Sequence, residues 1–364
     1  MSFRCPDWPP RWPEIEESIL QAIRSGDWGR YKSPHQAELR RRLSQLCNSE
    51  HVRLCGSGSA AVQLALTAAG VTVGDEVIVA ALDYPGNFRA IESVGAKPVL
   101  VDLRPDDACL DAEQVATIAQ NEPNGQIRAV IASHLFGRAA PIERLREICD
   151  QSGWILIEDA CQVPGMTIGG RAVGNIGHLG TISFGGSKPL TSGNGGAIVT
   201  SDSRLAARLN SLLDRPSDSQ PLSTLQCAAL MPQFDRLAQC NAKRQATVAY
   251  LESEINPRLP TWQWLSQSDS NWSATHYKVA WVVESAVQRN SIVASARQLG
   301  LPMGEGFRSM SVSSDRRCRK PMCLTHADRV GDRAIVLDHS ALLLEPEQHS
   351  ELGENLLELG CGLP

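Results

Sequence analysis

The sequence predicts an α/β protein: a large domain whose mostly parallel sheet is covered by helices, then a smaller α+β domain toward the C-terminus. Three features predict it. Short apolar runs alternate with segments of helical period from VRLC at 52–55 to WILIED at 154–159, the connectors between them are short, and the rhythm lapses after about residue 215. Apolar runs of this length suit strands buried on both faces. Helical crossovers between such strands make the pairing parallel.

Taken in order, residues 13–25 (PEIEESILQAIRS) carry apolar residues at helical spacing with acids in the first turn, which predicts a short helix. GDWGRY at 26–31 is a turn with two aromatics and an arginine, and a second helix is expected near 33–47. The alternating set follows: strand VRLC, helix SAAVQLALTAAG, strand EVIVA, helix NFRAIESVG, strand KPVLVD, helix LDAEQVATIAQ, strand IRAVIAS, helix PIERLREICDQSG and strand WILIED. The polar stretch ending RPSDSQ at 220 reads as a hinge, so the large domain is assigned to 1–220 and the smaller one to 221–364. In the latter a long helical segment from about 223 to 255 precedes a strand signal, HYKVAWVVE, a helix signal, SIVASARQLG, and a final helix near 348–359.

Of 364 residues, 42% are hydrophobic and 21% charged, an ordinary globular composition. A net charge of -5 argues against a nucleic-acid or anionic-membrane partner. No apolar run approaches the roughly 20 residues of a membrane span, and the N-terminus has no apolar signal core, so a cytoplasmic protein is expected. The eleven cysteines are scattered, several in apolar segments (Cys55, Cys149, Cys227), which suits reduced thiols. Cys318 and Cys323 are too far apart for CxxC and have no second pair, so no metal site is expected.

The chemistry concentrates at 181–200, TISFGGSKPLTSGNGGAIVT, where Lys188 stands among glycines between two strand-like runs. Glycines permit tight turns and close approach to a bound group, and flanking strands would fix where the amine points. A glycine-rich hairpin with a solvated lysine fits this stretch equally well. Gly56-Ser57-Gly58-Ser59, between a strand and a helix, offers unpaired N–H groups at a helix start, an anion cradle or simply an N-cap. Asp159 follows the apolar run WILI at a strand's carboxyl end, where ligands of parallel sheets sit. A helix-capping carboxylate would look the same, and Glu158 has equal standing on position alone. Tyr84, also just after a strand, could wall a pocket for a planar ligand or merely pack. Together these describe a site for a planar phosphorylated aldehyde, and pyridoxal phosphate has those needs.

GSGSAAVQLAL, GAKPVLVDL, HLFG, IEDACQ, SFGGSK and GNGGAIVT fall in the order and near the spacing of the DegT/DnrJ/EryC1/StrS family. The chain resembles these fold type I, pyridoxal phosphate-dependent sugar and aminocyclitol aminotransferases from about 26 to 199, and more loosely to LDHSALL near 343. The resemblance implies that Lys188 is the Schiff-base lysine and that Asp159 pairs with the pyridine nitrogen. It implies Gly58, Ser59 and Ser183 at the phosphate, Tyr84 on the ring and Gln162 at the ring hydroxyl. His134 of HLFG matches a position near the cofactor, with a buried structural histidine as the alternative.

SKPLTSGNGG resembles the aminocyclitol branch, with Asn194 where its members usually carry Glu. GEGFRSM followed by RRCRK resembles that branch's substrate loop, which makes Glu305 and Arg308 candidates for contacting a polyol or a carboxylate donor. One departure stands out: where many members carry Asn-x-Arg, reaching the neighbouring subunit's phosphate, this chain has Ser219 and Pro221. The resemblance implies amino transfer from glutamine or glutamate to a keto-sugar or keto-cyclitol, in a homodimer with the active site at the interface. A dehydratase branch has histidine in place of the lysine, against which Lys188 argues. Another pyridoxal phosphate reaction such as a lyase, or a non-catalytic relative that keeps the fold, stands as the alternative.

Overall fold

A computed structural model describes residues 3–122, 125–213, 220–265 and 271–361. The N-terminal helices start as their sequences require. Helix α1 (Pro13–Arg24) has proline at its first position and Glu14 and Glu16 in its first turn, where a missing N–H costs nothing and negative charge meets the helix dipole. Helix α2 (Pro34–Cys47) opens with a capping box, in which Ser33 and Gln36 satisfy each other's backbone N–H groups.

The alternating elements then appear in turn: β1 (His51–Cys55), α3 (Gly58–Ala68), β2 (Glu76–Ala80), α4 (Pro85–Ser93), β3 (Lys97–Val101), α5 (Ala112–Asn121), β4 (Ile127–Ser133), α6 (Ile142–Ser152) and β5 (Ile155–Asp159). Two short strands, β6 (Thr167–Ile168) and β7 (Arg171–Ala172), precede β8 (Leu179–Ser183), β9 (Gly196–Thr200) and α7 (Ser203–Leu213). Seven strands form the large sheet in the order β1-β9-β8-β5-β4-β2-β3. Only β9 runs against the others, pairing antiparallel with β1 on one side and β8 on the other. The sheet is therefore mostly parallel, and β1 reaches its edge across a reversed neighbour rather than beside β2. Helices bury both faces, so β2 and β9 are buried along their whole lengths.

Helix α8 (Thr224–Tyr250) runs 27 residues with Pro232 inside it. A proline cannot donate to the carbonyl four residues back. The Ala228 carbonyl left over here accepts instead from Ser18 Oγ of α1 at 2.8 Å. The helix passes into a π turn over Leu251–Ile255, so the helical stretch expected to 255 is two structures in series.

A second sheet holds β10 (Gln263–Trp264), β12 (Lys278–Val282), β13 (Met303–Glu305) and β14 (Ala334–Asp338), in the order β10-β12-β14-β13, while β11 (Trp272–Ser273) joins β6 and β7. Helices α9 (Ala286–Leu299), α10 (Thr325–Arg333) and α11 (His349–Cys361) complete the chain. Its core centres on Trp281, with the rings of Trp262 and Trp264 edge-on at 5.7 and 5.2 Å, a geometry aromatic pairs favour.

Two exchanges cross residue 220. Phe3 packs in the smaller core, and Met310, Cys318, Leu324 and Val330 return to the larger one. On that return the Arg319 backbone pairs along the β3 edge, and its guanidinium bonds Glu76 and Glu122. An otherwise open sheet edge is thereby covered.

Candidate active site

The strand β5 decides which of two adjacent acids serves the site. Side chains alternate across a strand, so Glu158 and Asp159 point to opposite faces. Glu158, fully buried, accepts from the N–H groups of Gly174, Ile176 and Gly177 at 2.7–2.8 Å and from His134 Nε2 at 3.1 Å. Burial alone would push this carboxyl up, but the His134 bond and those N–H groups hold it below the usual range. His134 is itself fully buried, and its Nδ1 accepts from the Ala140 N–H at 3.0 Å. Both ring nitrogens are therefore occupied within the core, as the structural alternative for this residue expects.

Asp159 emerges at the carboxyl end of the sheet. One carboxylate oxygen accepts from the Cys161 N–H at 3.0 Å, and the other accepts from Asn87 Nδ2 at 2.9 Å. Behind it lie Ser133 and a second buried acid, Asp83. Lys188 approaches the same place from the loop between β8 and β9. The Cys161 thiol feels both groups: burial and Asp159 push it well above its usual range, and Lys188 opposes them.

The lysine loop is held by its own backbone and by residues that flank the second sheet. Gly193 in it has φ 79°, a conformation that side chains rarely adopt. The Lys188 N–H bonds the Gly185 carbonyl at 2.9 Å. From just before β12, Tyr277 bonds Ser187 Oγ through its hydroxyl at 3.0 Å, and the Lys188 amine lies 4.5 Å over its ring. His339 completes the brace: Arg244 donates to its Nδ1 at 3.1 Å, so its Nε2–H donates to the Ser187 carbonyl at 3.0 Å. Burial and the Arg244 charge lower His339 to about 3, so the ring is neutral and the tautomer fixed by its neighbours.

The anion cradle forms where α3 meets the end of β8. Ser57 caps the helix by accepting from the Ala60 N–H, and the first-turn N–H groups of Gly58 and Ser59 have no carbonyl one turn back to bond. A Cβ on Gly58 would come 2.7 Å from Ser183 Cβ and 2.8 Å from its hydroxyl. The approach thus requires glycine and brings the Ser183 hydroxyl beside the helix start. Gly58→Ala is expected to lower affinity for a phosphorylated ligand about tenfold or more and to cost about 1–3 kcal/mol through overpacking; fluorescence titration and thermal melts measure the two effects.

Gln162, 5% exposed, accepts from the Phe136 N–H through Oε1 at 2.8 Å, so its donor end is what remains for a ligand oxygen. Tyr84 is 42% exposed at the start of α4, edge-on to Phe307, which stacks on Phe136. Arg308 follows Phe307 and is exposed, whereas Glu305 turns to α9, where Arg289 stands 3.5 Å away. Ser219 lies outside the described residues. Sequence reasoning missed Asp83, Asn87, Ser133, Tyr277 and His339; the first two lie within four residues of Tyr84, in the same DYPGN turn.

The residues fit pyridoxal 5'-phosphate. The Gly58 cradle has no room for a side chain and suits an oxyanion. The buried carboxylate of Asp159 suits a ring-nitrogen proton, and the braced amine suits an aldehyde. A sheet of this order with a lysine loop over its carboxyl end defines the fold type I transferases that use this cofactor. The match of residues 12–356 to the model of the DegT/DnrJ/EryC1/StrS aminotransferase family shows that the chain belongs to that family.

Among its relatives is L-glutamine:2-deoxy-scyllo-inosose aminotransferase of Streptomyces fradiae, 28% identical over 396 residues, covering 95% of this chain and 92% of that one. The enzyme of the same name from Streptomyces kanamyceticus is 37% identical over 214 residues, covering 56% of this chain and 49% of its own. The chain thus spans about half the length of that relative. The structure superimposes on 3-amino-5-hydroxybenzoic acid synthase with a TM-score of 0.88 over 99% of both chains, at 22% identity, a likeness of fold.

Proposed function

We propose that this protein is a pyridoxal phosphate-dependent aminotransferase that moves an amino group from glutamine or glutamate to the ketone of a cyclitol or sugar. The observation that carries the reading is the convergence of Lys188 and Asp159 about Cys161, beside the cradle at Gly58 and Ser183. The cofactor, when bound, supplies an aldehyde for condensation with amines and a ring that accepts the electron pair of a breaking Cα–H bond.

The chain's own residues do the rest. Lys188 Nζ is the amine that holds the aldehyde and, once free, the base that carries the proton from Cα. Asp159 keeps the ring-nitrogen proton in place, Gln162 offers its amide to the ring oxygen, and Gly58, Ser59 and Ser183 anchor the phosphate. Tyr84 walls the ring, and Arg308, exposed beside Phe307, is the proposed contact for a carboxylate or polyol. Support for the acceptor class comes from the cyclitol ketone in the relatives' names.

The protein is further proposed to be a cytoplasmic homodimer. No disulfide joins two cysteines among the described residues, in keeping with a reducing compartment. Among the described residues no helix is long and apolar enough to cross a membrane. Trp28 and Tyr31 are 57% and 92% exposed, and Tyr31 borders a cleft of about 1020 Å³ beside α2 and β1, so a second copy has an aromatic surface to cover. A solution mass equal to one chain would remove the dimer.

The function test is a panel of amino donors against scyllo-inosose, 2-deoxy-scyllo-inosose and nucleotide-linked keto-sugars, with the amino product followed by mass spectrometry. Transfer from glutamine or glutamate to at least one cyclitol or sugar ketone is expected. Turnover of the donor without an aminated acceptor would favour a lyase, and no turnover by cofactor-loaded protein would favour a non-catalytic relative.

A further inference from the structure

Asn87 and Ser133 each serve two carboxylates at once. Asn87 Nδ2 lies 2.9 Å from Asp159 Oδ2 and 3.3 Å from Asp83 Oδ2. Ser133 Oγ lies 2.8 Å from Asp83 Oδ2 and 3.4 Å from Asp159 Oδ2. The two acids are only 1% and 5% exposed. A serine has one hydroxyl proton to donate, so Ser133 satisfies one oxygen; its own oxygen accepts from Asn87 Nδ2 at 3.0 Å and keeps a second lone pair for a proton on the other acid. Carboxylates that share donors in a buried place resist ionising together.

The surroundings bring little other charge to Asp83. Asp159 on β5 faces it, while Cys161 and Lys188 stand beyond Asp159. From the C-terminal part of the chain come the Phe307 ring against Tyr84 and the Met310 N–H bonded to the Ala81 carbonyl at 2.7 Å, both uncharged. Burial, then the Asp159 charge, raise Asp83 to about 7 against its bonds from Ser133, the Tyr84 N–H and Asn87.

We propose that Asp83 is the proton-holding partner of Asp159: the pair keeps one proton on Asp83, linked through Ser133, and releases it when a protonated heterocyclic nitrogen is placed against Asp159. The inference rests on the cofactor reading above. In that release the Asp83 O–H bond breaks and its proton leaves through Ser133 to solvent, while Asp159 would accept from the N–H that arrives with the ring. The site's total charge is unchanged, because the arriving N–H cation replaces the proton lost. Asp83 acts through Asp159 and is a positioning residue.

Calorimetric titration of cofactor-free protein with pyridoxal 5'-phosphate, in buffers of different ionisation enthalpy, counts the protons exchanged. Asp83→Asn keeps the shape of the protonated acid but has no proton to give. At pH 6 it should take up about one more proton per site than the parent; equal counts would overturn the proposal. Failure of the parent to bind the cofactor would instead sink the functional reading and leave a second test standing.

That test is the melting temperature of the cofactor-free chain. A carboxyl raised in the folded state binds more protons there than in the unfolded chain between about pH 4 and 7, so its contribution is lost as pH rises through about 7. The parent's melting temperature should fall from pH 5 to 8 more steeply than that of Asp83→Asn, and parallel curves would count against the pair. Should that variant not fold, Ser133→Ala retains both acids and removes a bond that lowers Asp83, so its fall should shift to higher pH. An unshifted fall refutes the link through Ser133.

Discussion

Lys188→Ala should abolish amino transfer, with kcat/KM down by at least about 10⁴-fold, because both the covalent holding of the aldehyde and the proton movement at Cα use the same amine. The change should leave the fold intact. The loop is fixed by backbone and neighbour contacts that alanine keeps, namely the residue 188 N–H to Gly185 and the bonds of Ser187 to Tyr277 and His339. A thermal melt within a few degrees of the parent, together with lost turnover, is the expected pair of results. Activity within tenfold of the parent would show that another amine reacts.

Asp159→Asn is expected to bind cofactor and lose about 10³-fold in kcat, near 4 kcal/mol of transition-state stabilisation. Asparagine can keep the bond from the Cys161 N–H through its oxygen. Its amide, however, would face the Asn87 amide, donor against donor, where a carboxylate oxygen now accepts at 2.9 Å. The anion that holds the ring-nitrogen proton would be gone as well. Stopped-flow measurement of the half-reaction with the amino donor isolates this step from product release. An unchanged rate there would remove Asp159 from the chemistry.

The alternating strands and helices up to β5 were legible because each is a local pattern, an apolar run or a helical period bounded by turn residues. Reversal of β9 was not, since the residues of GAIVT are the same read in either direction of pairing. In the smaller domain β14 (AIVLD) carried a strand pattern as clear as any, yet its partner β13 is only three residues long and β10 only two. Runs that short give no period to read.

At the candidate site, residues inside contiguous motifs could be named from sequence as candidates: Lys188, Asp159, Gln162 and the Gly58 turn. Tyr277, His339 and Asn87 could not, because they matter through contacts made across 60 residues or more, to Ser187 and Asp159. The choice between Glu158 and Asp159 needed the strand's pleat together with the three N–H groups that claim Glu158.

The brace on Ser187 ties the Lys188 loop to the second sheet. Tyr277 precedes β12 and His339 follows β14, so both grips hang from one pair of neighbouring strands. Warming or substitution that loosens those strands will let the amine drift while the large sheet still holds its shape. Inactivation on heating should therefore precede melting, as a wheel that slips on its axle stops turning before the frame fails.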